Sequence, residues 1–367
     1  MPTDGSEYLV PAPGAIPASP ADQRNSDGLR ETAGAGSETE RGARARPSPL
    51  ARQPNVFASC LIGCAILAVL VIGGLAVARW WMVLPTPFPP QKEDYVEARK
   101  HFHTRLLIEA PAPQEPRVPG PQRPPIGAME VRYPSGKLRL KAWVSDEASG
   151  NRPYPAVLYL HGGFAFDPED WMWAAPFRGA GYIVMTPVLR GENDLPGSYT
   201  MFYSEVDDVL AAADTLAAMP GVDSNHIYIC GHSAGGTLTL LASMCSHRFR
   251  AAGSFSGSPD QLGWARIPEN LQQAAKAKYG NFIPFDPSDR LEYQMRSPLA
   301  YPKSFKCPVR MYYATHDHET HLPQSCDKTA ELARAAGLDV EAERVPGNHI
   351  TAVPKEMARC IEFFRMH

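Results

Sequence analysis

From about Ile126 to the C-terminus, short apolar runs alternate with segments whose apolar residues recur at helical spacing. The runs predict strands over 128–133, 138–144, 155–160, 182–187, 226–230, 250–256, 308–314 and 339–345. Helices are predicted over 168–180, 204–219, 234–247, 322–336 and 353–366. The first two strands follow each other directly and should pair antiparallel; the later ones need crossover connections and should run parallel. The prediction for 126–367 is one α/β domain, an eight-stranded, mostly parallel sheet with helices on both faces.

Upstream the pattern changes. Residues 1–55 hold seven acids and six arginines among many Pro, Ala, Gly and Ser, with few large apolar side chains. Such a segment cannot bury enough surface to offset its ordering entropy, so a disordered N-terminal tail is predicted. Val56 to Ala78 is 23 residues without a charge, which suffices for a transmembrane helix across about 30 Å of hydrocarbon. Arg79-Trp80-Trp81 closes the run with a cation and rings suited to a membrane interface. A cleaved signal peptide fits badly, because 55 residues precede the run. Arg41, Arg44, Arg46 and Arg52 lie before it, against Arg79 and Lys92 after it, which places the N-terminus in the cytoplasm and the α/β domain on the periplasmic or extracellular side. No Asn-x-Ser/Thr sequon occurs, which favours a bacterial envelope. Of 37 prolines, 19 fall in the first 125 residues, so 79–125 reads as a Pro-rich linker. Within it Tyr95, Ala98, Phe102 and Leu106 predict a short juxtamembrane helix packed on the domain.

The chemistry begins where an apolar strand, Ile227 to Cys230, runs into Gly231-His232-Ser233-Ala234-Gly235. This G-x-S-x-G sets a serine hydroxyl on a sharp strand-to-helix turn, where a β-carbon at either glycine would crowd the backbone. A serine needs a base, and the base needs a third group to fix its tautomer. Asp317 follows the strand 308–314 and His349 follows 339–345, in the order Ser, Asp, His. Glu319 is the rival acid. His316, His318 and His321 surround Asp317 but lack metal-site spacing, so a polar loop is expected and no metal. His161-Gly162-Gly163-Phe164 follows another strand end, and the backbone N–H groups of Ala234 and of Gly163 or Phe164 are the candidate oxyanion hole. Trp171, Arg190 and Glu192 are candidate substrate contacts, with Arg190 more simply explained as a partner of Asp207 or Asp208. The formal net charge is −3 with no basic run in the domain, so no nucleic-acid partner is indicated. Cys326 and Cys360 fall on predicted helices that could be neighbours and disulfide-bonded in an exported domain; free thiols are the alternative.

This order of parts resembles the α/β-hydrolase fold, and within it the catalytic domain of the prolyl-oligopeptidase and dienelactone-hydrolase branch. The likeness rests on Leu160 to Phe164, Leu189-Arg190-Gly191-Glu192, Met219 to Asp223, Gly231 to Gly236, Ser297-Pro298-Leu299 and Cys307-Pro308-Val309. It departs at Ala314, where the family usually has Gly, and at His226, where Arg is common. The resemblance implies Ser233, Asp317 and His349 as a catalytic triad and no cofactor. The chain has no room for the large propeller of true oligopeptidases. It has instead an insertion over 259–302, with a short helix expected near 269–279 and a lid lined by Trp264, Leu271 and Phe282. The expected activity is a membrane-anchored serine hydrolase acting on a small ester, with cleavage of short or acylated peptides as the second possibility. An inactive hydrolase-fold binding module is the alternative of another class.

Overall fold

The computed structural model describes residues 88–266, 282–317 and 322–367. The apolar run 56–78, the tail before it and the expected helix near 269–279 lie outside the described residues. Among those described, no helix is long and apolar enough to cross a membrane.

The chain enters through helix α1 (Tyr95–His101), capped by the Asp94 carboxylate, which accepts from the Val96 N–H at 2.9 Å. The predicted helix stops at Phe102, whose backbone is extended. Strands β1 (Ala128–Ser135), β2 (Leu138–Ser145) and β3 (Tyr154–Leu160) follow. Next come the short helices α2 (Pro168–Trp173) and α3 (Ala175–Gly179), then β4 (Ile183–Val188), α4 (Glu205–Ala217) and β5 (Val222–His232). The chain continues through α5 (Ala234–Cys245), β6 (Phe249–Phe255), α6 (Arg290–Gln294) and β7 (Val309–His316). It ends with α7 (Leu322–Ala335), β8 (Val340–Asn348) and α8 (Val353–Arg365).

The sheet order is β1-β2-β4-β3-β5-β6-β7-β8. β2 pairs antiparallel with β1 and β4, and every pairing from β4 to β8 is parallel. The predicted helix over 168–180 is broken at Ala174, with a proline in the first turn of each half. Central strands are apolar on both faces because both faces are covered. Ala156, Leu158 and Leu160 join one core cluster, whereas Val157 and Tyr159 join the other.

The segment 88–125 is part of this body rather than a linker. Phe88, Tyr95, Ala98 and Ala112 are buried in the first core. The Tyr95 hydroxyl donates to the Met295 carbonyl, and Leu107 and Ile108 both donate to the Pro284 carbonyl. The described end of the insertion is fixed by Arg296, which is fully buried and donates to the Thr200 carbonyl at 3.0 and 2.8 Å and to the Glu292 carboxylate at 2.6 Å. Cys326 and Cys360 belong to different core clusters, on opposite faces of the sheet, so they are not bonded to each other.

Candidate active site

Ser233 is the single residue between β5 and α5, with φ 55° and ψ −116°. A left-handed backbone is costly for a residue with a β-carbon and persists only where the surroundings impose it. They do so here by removing space. A β-carbon on Gly231 would stand 2.6 Å from the Gly235 backbone, and one on Gly235 would stand 2.3 Å from the Leu160 carbonyl oxygen. The Ser233 N–H donates to the Phe255 carbonyl at 2.8 Å, tying the elbow to β6. Ser233 lines a cavity of about 590 Å³ together with Gly162, Gly163, Phe164, Ala234 and His349.

His349 lies on the turn between β8 and α8. Its Nδ1 is 2.9 and 3.1 Å from the two carboxylate oxygens of Asp317, whose side chain is buried. The two loops are stitched together by Thr315, whose hydroxyl donates to the Gly347 carbonyl at 3.0 Å and accepts from the Gly347 N–H at 3.1 Å. A third tie comes from His232 inside the elbow. Its Nε2 is 2.9 Å from the His349 carbonyl across 117 residues of chain, so the Nε2–H tautomer donates. The rival acid Glu319, with His318 and His321, lies outside the described residues.

The loop after β3, the candidate oxyanion loop, turns at Gly163, at φ 73°. Its neighbour Phe164 gives its N–H to the Gln114 side-chain oxygen at 3.1 Å. That bond takes Phe164 out of the candidate donor pair and leaves Gly163 and Ala234 as the loop and elbow residues at the cavity. Beneath the loop His161 and Glu192 form a buried pair at 3.1 Å. Burial lowers the affinity of His161 for a proton, but the Glu192 carboxylate more than reverses this and lifts its pKa to about 10. Glu192 also accepts from the Leu189 N–H at 2.9 Å, so the charged pair braces the loop.

The three candidate substrate contacts are engaged within the scaffold, Arg190 in the Asp208 pairing that the sequence favoured for it. Trp171 is buried against Trp143 and under the Arg178 guanidinium, whose centre is 4.2 Å from its ring. Arg190 holds Asp208 through bonds of 2.8 and 2.7 Å. Glu192 is consumed by His161. The cavity walls come from Trp173 on α2 and Phe282 of the insertion, the latter an expected lid residue, together with Phe202, Gln261, and Gln114 and Arg117 of the segment 88–125, the N-terminal arm. Phe282 packs on Phe164 with ring centroids 5.3 Å apart. Trp171 and Trp173 project to opposite sides of one short helix, and sequence spacing alone does not say which faces the cavity. Gln114 and Arg117 gave no signal, because the Pro-rich composition masked the hydrogen bonds that seat them.

The model of the prolyl oligopeptidase family matches residues 170–365, which contain Ser233, Asp317 and His349. The chain belongs to the prolyl oligopeptidase family. It is a serine hydrolase with an α/β-hydrolase sheet. Among relatives of this prolyl oligopeptidase member, the uncharacterized peptidase YtmA of Bacillus subtilis is 24% identical over 215 residues, 57% of this chain and 80% of that one. The acylaminoacyl peptidase of Pyrococcus horikoshii superposes with a TM-score of 0.52 at 22% identity, covering 65% of this chain and 40% of the archaeal one. The chain thus spans about two fifths of that relative's length. An esterase of Pyrococcus furiosus superposes with a TM-score of 0.52 at 20% identity over 69% of this chain and 99% of its own. At these identities the superpositions show the shared fold.

Proposed function

We propose that Ser233 is the nucleophile, His349 its base and Asp317 the group that orients and stabilises the imidazole. The observation that carries this reading is the Nδ1 contact of His349 with Asp317 at 2.9 Å, made by a histidine lining the same cavity as the left-handed Ser233. With its Nδ1–H given to Asp317, the imidazole keeps a lone pair on Nε2 for the serine proton. Attack of Oγ on a carbonyl forms a tetrahedral oxyanion, held by the N–H groups of Gly163 and Ala234. Collapse expels the leaving group with the proton from His349, and water then cleaves the acyl-serine with His349 as base again.

The preferred substrate is a small ester, because a cavity of about 590 Å³ suits a compact acyl group and an ester is intrinsically the easier bond to break. Peptide cleavage is the second reading, favoured by the family match and by the relative named as a peptidase. The test is fluorophosphonate labelling of the full chain, which should occur and vanish in Ser233→Ala. An unlabelled wild-type chain, with no turnover of p-nitrophenyl esters or peptide anilides, would sink the catalytic reading in favour of a binding module. We further propose that 56–78 anchors the chain in a membrane with the catalytic domain outside the cytoplasm; deleting it should move the protein from the membrane to the soluble fraction.

A further inference from the structure

Gly253 stands within β6, where a glycine weakens a strand and marks the close approach of another group. Here the approaching group is a sulfur. A β-carbon on Gly253 would stand 2.3 Å from Cys360 Sγ and 3.6 Å from the β-carbons of both Cys360 and Cys230. Cys230 on β5 is the register partner of Gly253, and α8, which carries Cys360, packs against β6. The two cysteines belong to one core cluster, both are fully buried, and their thiols are direct neighbours. Burial pushes the Cys230 thiol well above its ordinary pKa, and the Cys360 thiol beside it adds to the rise. The missing side chain of Gly253 is thus the space in which two sulfurs meet. Their places bear on the site: β5 ends where Ser233 begins the elbow, and α8 is the helix into which the His349 turn leads.

We infer that Cys230 and Cys360 form a disulfide site, closed by exchange with a small-molecule disulfide such as glutathione disulfide, that ties α8 to β5. One thiolate attacks the S–S bond of the reagent, forming a mixed disulfide and releasing one glutathione. The second thiolate displaces the bound glutathione and completes the Cys230–Cys360 bond. The protein gives up two protons and two electrons, and the reagent leaves as two molecules of reduced glutathione. The folded body holds both sulfurs as buried thiols, so the exchange proceeds through states in which α8 has lifted from the sheet. The bond then closes a long loop of chain and restricts the unfolded state, which stabilises the docked helix. Such a link suits the oxidising side of a membrane, where the domain is proposed to lie.

The full chain, purified in detergent under reductant, is equilibrated with glutathione disulfide at a urea concentration just below its unfolding midpoint. It is then quenched in acid, alkylated with N-ethylmaleimide in denaturant and mapped by mass spectrometry. A cross-linked peptide pair holding residues 230 and 360, lacking both thiol hydrogens, should appear, and Cys360→Ala should abolish it. The oxidised chain should unfold at higher urea than the same chain kept under reductant. Recovery of both cysteines as alkylated or separately glutathionylated residues overturns the proposal, as does a bond from either one to a different cysteine. An oxidised chain with a midpoint no higher than the reduced one overturns the tie between α8 and β5. If Cys360→Ala does not fold, the wild-type peptide map decides alone. No step of the test uses catalysis, so its outcome is independent of Ser233 being the nucleophile.

Discussion

At the scale of single residues, the site depends on positions where geometry leaves no choice. Gly235 lies against the Leu160 and His161 carbonyl oxygens, 2.3 and 2.5 Å from where a β-carbon would be. Both contacts are backbone and cannot yield, so Gly235→Ala should destabilise the fold by about 1–3 kcal/mol and reduce labelling of Ser233. Denaturant melts of the two proteins measure the first effect; equal stability would contradict the crowding. His232 acts through another residue, holding the His349 carbonyl at 2.9 Å. His232→Ala should lower kcat about tenfold with little change in KM, because a loosened His349 affects the chemical step more than binding. The G-x-S-x-G pattern carried the glycines in full view. The role of His232 was hidden, since its partner stands 117 residues away.

At the scale of elements, the helix after His349 carries a buried acid with a measurable consequence. Glu356 on α8 is fully buried with both carboxylate oxygens unpaired. Burial, and then the charge of Asp317, push its pKa from an ordinary 4.5 up to about 8. The folded state therefore holds a proton that the unfolded chain gives up, and stability falls as pH rises through the window between those two values. Glu356→Gln cannot ionise and should escape that loss. Its melting temperature relative to wild type should climb from pH 5 to pH 8; a constant difference would show that Glu356 is ionised in the fold. His161, raised from 6.5 to about 10, adds a slope of the same sign in both proteins and cancels in the comparison. The strands and most helices were legible because their apolar periodicity survives any tertiary arrangement. The arm was not. Its backbone pairs with distant loops, Ala112 with Gly191 and Tyr199 with Ala110, and composition cannot show such bonds.

At the scale of the whole molecule, the catalytic body begins upstream of the residue where the strand pattern starts. Phe88, Tyr95, Ala98 and Ala112 are core residues, and Gln114 and Arg117 line the cavity. A fragment of 126–367 should expose that core face and unfold at lower denaturant than one of 88–367, read by parallel urea titrations; matching midpoints would return the arm to linker status. By itself the sequence determined the order of strands and helices, the elbow around Ser233, and the acid and base candidates at strand ends. Those features follow from local periodicity, backbone sterics and chain order. Only the tertiary structure decided that Phe164 is held by Gln114, that Arg190 and Glu192 brace the scaffold, and that Gln114 and Arg117 reach the cavity wall. Each of those depends on which groups from distant segments arrive within hydrogen-bonding distance, and no pattern along a single chain encodes that directly.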